Sequence, residues 1–341
     1  MIRGALRMLH SLIIGLGQIG LLYDLDPLRH KPSSHTTAYL DSERFRLVAA
    51  ADIHQGRESL LRGFDDSVRF YTQVTAMLQD HAAEVISICT PPDNHLALIR
   101  EIISTTSTKL IFCEKPVVAN LDEARSLHEL MQTTGCMLIP NLSRRWNKGM
   151  QRIYEALRQG AYGELQRIHL RYTRGIYNTG SHIFDLVSWF AGRLQSVLVI
   201  DQVPTSADHE GDSSFTLHFT TERQVSGYAE AFDDRYYYMF EMDLYLTRGK
   251  ITILESGNKV RYERVGEHQL FSGFQSLHLD KFDDNLLHDS TLKHAMEHIA
   301  DVVDGKQQPV CTLKDGLHPI FIAEAVQRSY LSRQWEPVKP L

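Results

Sequence analysis

The sequence predicts an α/β chain: a doubly wound parallel sheet at the N-terminus, followed by an α+β domain with a large, mainly antiparallel sheet. Three observations lead there. The apolar run Leu12-Ile13-Ile14 ends in Gly15-Leu16-Gly17-Gln18-Ile19-Gly20, a Gly-x-Gly-x-x-Gly turn. A second apolar run, Phe45-Arg46-Leu47-Val48-Ala49-Ala50-Ala51, ends in Asp52. Strand-like and helix-like stretches then alternate as far as Pro140, where the rhythm changes.

The glycine turn has a physical rationale in a dinucleotide site. Gly15 makes the tight turn, Gly17 lets the backbone approach a pyrophosphate, and Gly20 lets a helix pack against the strand. With Gln18 and Ile19 they form a cofactor-binding loop, and the N–H groups of the expected helix would hold the phosphates. Asp52 would accept hydrogen bonds from the adenosine ribose, and its charge would repel a 2′-phosphate, which favours NAD(H). Arg57 nearby keeps NADP(H) open. The separation from the turn to Asp52 exceeds the ~20 residues usual for this fingerprint. The excess lies at 21–34, rich in Pro, Asp and His, and reads as an inserted loop that would cover the cofactor or reach a substrate.

A length of 341 residues suits about two domains, divided as a dinucleotide-binding Rossmann domain at 1–141 and a substrate-binding and oligomerisation domain at 142–341. The 43% hydrophobic and 23% charged content is that of a soluble globular protein. A net charge of −6 without a basic cluster speaks against nucleic acid. No apolar run approaches the ~18 residues a membrane span needs. Cys89, Cys113, Cys136 and Cys311 form no C-x-x-C pair and read as reduced, mostly buried thiols of a cytoplasmic protein. Met1 to Leu12 faintly imitates a signal peptide, but its apolar part runs into the glycine turn, and an extension ahead of Met8 is the plainer reading.

In the first domain, helices are expected at 57–63, 74–79 and 94–103, and strands at 84–89, 109–113 and 136–140. Asn120 with Glu123 forms a capping-box start for a helix that Gly135 stops. Beyond Asn141, helices are expected near 150–158 and at 181–190. Strands are expected at 165–173, 196–200, 213–219, 224–231, 236–246 and 250–254, then closing helices near 288–303 and 313–331. Ligands of such parallel sheets bind at the carboxyl ends of strands, where the first-domain motifs fall.

The motifs taken together resemble the Gfo/Idh/MocA oxidoreductases, which include glucose–fructose oxidoreductase and inositol dehydrogenase. The resemblance covers almost the full length. It rests on the glycine turn, Cys89-Thr90-Pro91-Pro92-Asp93-Asn94-His95, Glu114-Lys115-Pro116, Arg144-Arg145-Trp146 and Gly180-Ser181-His182-Ile183-Phe184-Asp185. It implies hydride transfer between a nicotinamide and a secondary alcohol or ketone of a sugar, cyclitol or nucleotide-sugar derivative. It further implies that Lys115 sits beside the nicotinamide and the reacting oxygen, and that His182 is proton acceptor and donor. Imidazole titrates in the range that role needs, and an ammonium stabilises a developing alkoxide. Pro116 would fix the turn that aims Lys115, through a cis bond as is usual in the family.

Thr90, Pro91 and His95 would line the cofactor cleft, with Glu114 beside the nicotinamide ribose. His35 matches the histidine that ordinarily follows the glycine turn closely, displaced here by the insertion. Arg145, Tyr172, Arg174 and Tyr177 would form the substrate wall. The family pattern Asp-x-Gly-x-His departs here to Asn178-Thr179-Gly180-Ser181-His182. Asn178 can orient a substrate hydroxyl but lacks the charge that raises a neighbouring pKa. That departure admits a second reading, a catalytically silent dinucleotide-binding sensor or assembly subunit.

His294-Ala295-Met296-Glu297-His298 matches the H-x-x-E-H zinc pattern, but on a helix expected to cover the second domain, far from the cofactor and without a third-ligand motif. No metal is expected. The second sheet offers one face to helices and the other needs cover. Family members commonly pack such faces together, which implies a homodimer or homotetramer.

Overall fold

The computed structural model describes residues 7–205 and 212–340. Most of the extension expected ahead of Met8 lies outside the described residues. The chain divides into two compact units, Met1–Trp146 with Ser290–Leu317, and Asn147–Asp289 with His318–Leu341.

In the first unit β1 (Leu9–Ile14), β2 (Phe45–Ala51), β3 (Arg69–Tyr71), β4 (Val85–Ile88), β5 (Leu110–Cys113) and β6 (Met137–Pro140) form one parallel sheet. Its order is β3-β2-β1-β4-β5-β6, the doubly wound arrangement the alternation predicts. Buried on both faces, β4 and β5 are apolar apart from Ser87. Helices α1 (His35–Leu40), α2 (Arg57–Arg62), α3 (Val74–Asp80), α4 (His95–Thr105) and α5 (Leu121–Gln132) link the strands, and α6 (Ser143–Trp146) follows β6. The expected cap of α5 is present: Glu123 N donates to Asn120 Oδ1 at 3.0 Å, and Glu123 Oε2 accepts from Ala119 N at 3.0 Å.

The second unit opens with α7 (Lys148–Arg158), β7 (Leu165–Tyr172) and α8 (Ser181–Ala191). Next come β8 (Leu194–Val203), β9 (Ser214–Thr221), β10 (Ser226–Ala231), β11 (Phe240–Leu246), β12 (Gly249–Leu254), β13 (Lys259–Glu267) and β14 (Gln275–Asp283). These strands, with β15 (Glu336–Pro337), make a nine-stranded sheet ordered β14-β13-β12-β11-β7-β10-β9-β8-β15. All its pairings are antiparallel except β7 with β10. Alternation along β7 buries Ile168, Leu170 and Tyr172 and turns His169 and Arg171 to the other face.

A division at residue 141 therefore needs correction. After β14 the chain returns to the first unit with α9 (Thr291–Val303). Leu292, Ala295, Met296, Ile299, Ala300 and Cys311 share one core with Leu9, Ile13 and Phe112. Arg44 binds Asp301 and Asp304 at 3.0 and 2.8 Å, and Ser290 Oγ donates to Pro32 O at 2.6 Å. The H-x-x-E-H helix thus packs in the first unit rather than over the second domain. His298 Nε2 accepts from Val310 N at 3.1 Å and its Nδ1 meets Gln307 Oε1 at 3.1 Å, so its ring serves the local fold. In α10 (Leu313–Ser332) the division between units falls after Leu317, beside Pro319.

Candidate dinucleotide site and second-unit motif

Gly15 closes β1 with φ +95°, and a Cβ there would lie 2.9 Å from the Cys89 carbonyl carbon, so only glycine suits the turn. At Gly20 a Cβ would overlap the Gly15 carbonyl oxygen, whereas at Gly17 nothing stands within 4 Å. Close packing at Gly20 and open space at Gly17 are what the motif requires. The helix expected after the turn is replaced by less. Leu21 and Leu22 N donate to Gly17 O and Tyr23 N to Gln18 O, then a 3-10 turn at Leu22–Leu25 leads into the inserted loop. The α-helix itself begins only at His35. The amides of Gly17, Gln18 and Ile19 have no hydrogen-bond partner among the described residues, and any phosphate held here would meet a short turn rather than a long dipole.

Asp52 ends β2 with each carboxylate oxygen engaged: Oδ2 accepts from Leu16 N at 2.7 Å and Oδ1 from His54 N at 2.8 Å. This fixes the carboxylate beside the glycine turn. A cleft of about 500 Å³ opens there, lined by Gly15, Gly17, Asp52, Arg57, Thr90 and Pro91 among others. Two buried polar atoms on its wall, Thr90 Oγ1 and Arg57 Nε, have no hydrogen-bond partner among the described residues, and buried groups of that kind mark a place for a polar ligand. A fixed acid, spare amides, an orphaned hydroxyl and an orphaned guanidinium nitrogen fit a dinucleotide. Arg57 shares the cleft with Asp52, as its sequence position suggests.

His95, expected to line the cleft, is fully buried instead. Its Nε2 meets Thr90 O at 2.8 Å and its Nδ1 meets Val117 O at 3.1 Å. It joins the loop after β4 to the segment after β5 and so shapes the cleft from behind. The Lys115–Pro116 bond is cis, as expected. Glu114 is a buried hub: its Oε1 is 2.8 Å from His35 Nε2 and accepts from Asn141 Nδ2 at 2.6 Å. Burial pushes its carboxyl upward, but the His35 hydrogen bond and charge, Asn141 and the Lys115 charge outweigh that and hold it below the usual range. Cys89 and Cys113 are buried free thiols raised well above the ordinary range by burial and by Glu114.

Arg145 does not stand on a substrate wall. It is 4% exposed, donates to Val310 O at 3.1 Å and reaches Asp315 at 3.4 Å, fastening α6 to the returning segment. Tyr172 needs the same correction. It is fully buried, and its hydroxyl donates to Phe215 O at 2.9 Å while accepting from Phe215 N at 2.8 Å. Alternation along β7 points it into the core.

The remaining second-unit candidates sit together. Arg174, in the left-handed region at φ 66°, leads into a π-type turn at Gly175–Gly180, and α8 follows with His182 as its second residue. Tyr177 and Asn178 lie on that turn, and Ser181 Oγ donates to Asn178 O at 2.7 Å. Sequence reasoning missed Asp212, whose oxygens accept from Tyr177 N and Asn178 N, each at 2.9 Å. Gly175 packs so close to it that a Cβ would overlap the carboxylate. Asp212 thus brings a negative charge to the turn where Asn178 carries none. Its only signal in sequence was a glycine whose close neighbour lay far along the chain.

Residues 9–142 match the model of an oxidoreductase family with an NAD-binding Rossmann fold, GFO_IDH_MocA. The match lies within the first unit and covers less than half of the chain. Inositol 2-dehydrogenase of Rhizobium meliloti is 24% identical over 53% of this chain and 54% of its own length. Alignments with the first such relatives span about half of their length or less. Among solved structures, the WlbA dehydrogenase of Bordetella pertussis, in complex with NADH and UDP-GlcNAcA, has a TM-score of 0.79 at 15% identity, covering 98% and 99% of the two chains. Levoglucosan dehydrogenase, complexed with NADH and L-sorbose, has a TM-score of 0.76 at 12% identity, covering 98% and 100%. At these identities the structures establish a shared fold. No helix among the described residues is long and apolar enough to cross a membrane.

Proposed function

We propose that this protein is an NAD(H)-dependent oxidoreductase acting on a secondary alcohol or ketone of a sugar, cyclitol or nucleotide-sugar derivative. The observation that carries the proposal is the cleft in which the anchored Asp52 carboxylate, the open approach at Gly17 and the orphaned Thr90 hydroxyl meet. The substrate class rests on relatives named as inositol dehydrogenases and on structural neighbours complexed with a nucleotide sugar or L-sorbose.

A bound nicotinamide supplies the hydride acceptor or donor. Asp52 binds the adenosine ribose hydroxyls, and its charge disfavours a 2′-phosphate; Arg57 leaves NADP(H) as the weaker alternative. Glu114 offers its outer oxygen to a ribose hydroxyl. Lys115 stabilises negative charge on the reacting oxygen. His182 accepts the hydroxyl proton in oxidation and returns it in reduction. Asn178, Arg174 and Tyr177 orient the substrate, with Asp212 fixing the turn they share.

The sheet face carrying His169, Arg171, Tyr228 and Tyr245 is the surface we expect a second copy to cover, giving a homodimer or homotetramer. The buried free thiols fit a reducing, cytoplasmic setting. The test follows absorbance in the reduced-nicotinamide band with NAD and a panel of inositols, sugars and nucleotide-activated sugars. Turnover of a panel member is the expected result. Cofactor binding without turnover across the panel would favour the silent sensor, a reading that Asn178 keeps open.

A further inference from the structure

The 21–34 loop delivers one buried side chain to the reactive end of the first sheet. It is fastened at several points. The buried Asp24 carboxylate accepts from Ser33 N at 2.9 Å, Ser33 Oγ at 3.0 Å and Thr37 Oγ1. Lys31 Nζ donates to the carbonyls of Asp24 and Asp26, each at 2.7 Å, and of Tyr23 at 3.2 Å. The start of α1 is bolted to the glycine turn by His35 N to Ile19 O at 2.9 Å and Thr36 Oγ1 to Gly20 O at 2.6 Å. These bonds describe a strut rather than a hinged cover.

The strut ends at His35, 0% exposed and with both ring nitrogens engaged: Nε2 with Glu114 Oε1 at 2.8 Å and Nδ1 with Ser87 Oγ at 3.0 Å. Ser87 Oγ in turn lies 2.7 Å from Tyr39 OH. An ionised Glu114 can only accept, so Nε2 carries the proton. Its Nδ1 meets the Ser87 hydroxyl, which in turn meets Tyr39 OH. Both ring nitrogens of His35 are thus engaged inside the unit. On the far side, Asn141 Nδ2 donates to the same Glu114 oxygen while its Oδ1 accepts from Trp146 Nε1 at 2.9 Å. Both donors therefore converge on Oε1, and Oε2 makes no hydrogen bond among the described residues.

We propose that His35 is a positioning residue for Lys115: by holding one oxygen of Glu114 inward, it turns the other outward and sets the charge beside the Lys115 ammonium. This rests on the reading that Lys115 acts on the substrate oxygen. Without the ring, a buried carboxylate that has lost its donor takes the nearest cation, the ammonium one residue along, and withdraws it from the substrate.

The test compares wild type, His35→Ala, His35→Gln and Glu114→Gln. One readout is kcat with KM for the substrate found by the panel. A second uses neither substrate nor nicotinamide: the rate at which pyridoxal 5′-phosphate with borohydride labels Lys115 at pH 8, followed by mass spectrometry. For His35→Ala we expect kcat to fall at least tenfold and labelling to slow at least threefold. Gln can still donate to the carboxylate, so His35→Gln should return both to within threefold of wild type. Glu114→Gln, which opens no cavity, should label faster, and it carries the test should His35→Ala fail to fold. Labelling that is unchanged in the folded variants, or equal impairment in the Ala and Gln variants at position 35, overturns the proposal. Wild-type inactivity across the whole panel would sink the enzymatic reading alone, since labelling is measured without turnover.

Discussion

The amide of Leu16 donates to Asp52 Oδ2 at 2.7 Å, so the second residue of the glycine turn and the acid ending the neighbouring strand are locked together. That contact ties the two groups proposed to hold the ribose and the phosphates. Asp52→Ala removes that lock together with the ribose acceptor. Charged hydrogen bonds contribute about 1.5–3 kcal/mol, which predicts an NADH dissociation constant raised on the order of ten- to a hundredfold. Discrimination against NADPH should shrink, because the repelling charge is gone. Arg57→Ala should weaken NADPH more than NADH. Fluorescence titration with both cofactors checks each direction, and an Asp52→Ala protein that binds NADH as wild type would refute the assignment.

Gly17 and Gly20 should separate binding from stability. A Cβ at Gly20 meets the Gly15 carbonyl, whereas one at Gly17 meets nothing within 4 Å. Gly20→Ala is therefore expected to lose about 1–3 kcal/mol or more to overpacking, seen as a lower Tm. Gly17→Ala should keep its Tm within a degree or two and lose NADH binding, since the methyl occupies the approach of the pyrophosphate. Equal effects on Tm would contradict this division of labour.

Lys115→Met and His182→Asn test the chemistry. Each is expected to lower kcat by roughly 10²–10⁴-fold, the usual contribution of a positioned acid–base or electrostatic group, with NADH affinity changed less than tenfold. Pre-steady-state measurement of hydride transfer distinguishes this from slow product release. Full activity in either variant would remove that residue from the mechanism.

Tyr172→Phe separates a core residue from a substrate contact. Its hydroxyl satisfies both the amide and the carbonyl of Phe215, so its loss leaves two buried backbone groups unpaired, at about 1–3 kcal/mol each at most. The variant should melt earlier and show unchanged KM. A raised KM at unchanged Tm would return Tyr172 to the substrate wall.

Asp24 makes the inserted loop sensitive to acid. Burial pushes its carboxyl upward, but hydrogen bonds from Ser34, Thr37 and Ser33 prevail and hold it below the ordinary value of 3.8. A depressed folded-state pKa contributes stability that is complete above the unfolded value and disappears as pH falls through the folded one. Asp24→Asn should therefore be less stable than wild type at pH 7, by about 1.5–3 kcal/mol for its charged hydrogen bonds. The gap should begin to narrow below roughly pH 4 and go on narrowing as pH falls through the folded value. Denaturant titrations at pH 7, 5 and 3 measure it, and a gap as wide at the lowest pH as at pH 7 would contradict the assigned cause.

Much of this was legible in the sequence because it is written locally. The apolar runs of β1, β2, β4 and β5, the tasks of Gly15, Gly17 and Gly20, and the Asn120 cap depend on residues adjacent in the chain. Arg69–Tyr71 is too short to show a pattern, and β13 and β14 hid because charged residues such as Arg264 and Lys281 interrupt their alternation. The strand expected from 236 begins only at Phe240, since Tyr236, Tyr237 and Tyr238 are exposed. Tyr172 and Arg145 misled because aromatic and guanidinium groups serve cores and sites alike. Only distant partners, Phe215 for one and Val310 with Asp315 for the other, decide between those uses. Asp212 was invisible for the same reason.

The return of Ser290–Leu317 to the first unit has a consequence for how this chain matures. A ribosome that has released only the first 289 residues has made all six strands of the parallel sheet but not the helix that shares their core. Until residue 317 emerges, Leu9, Ile13 and Phe112 lack companions that the finished core contains, and Arg44 has no Asp301 or Asp304 to bind. The nascent nucleotide-binding half must therefore wait, partly uncovered, while the whole of β7 to β14 is synthesised. Severing the gene at residue 146 would leave that wait permanent.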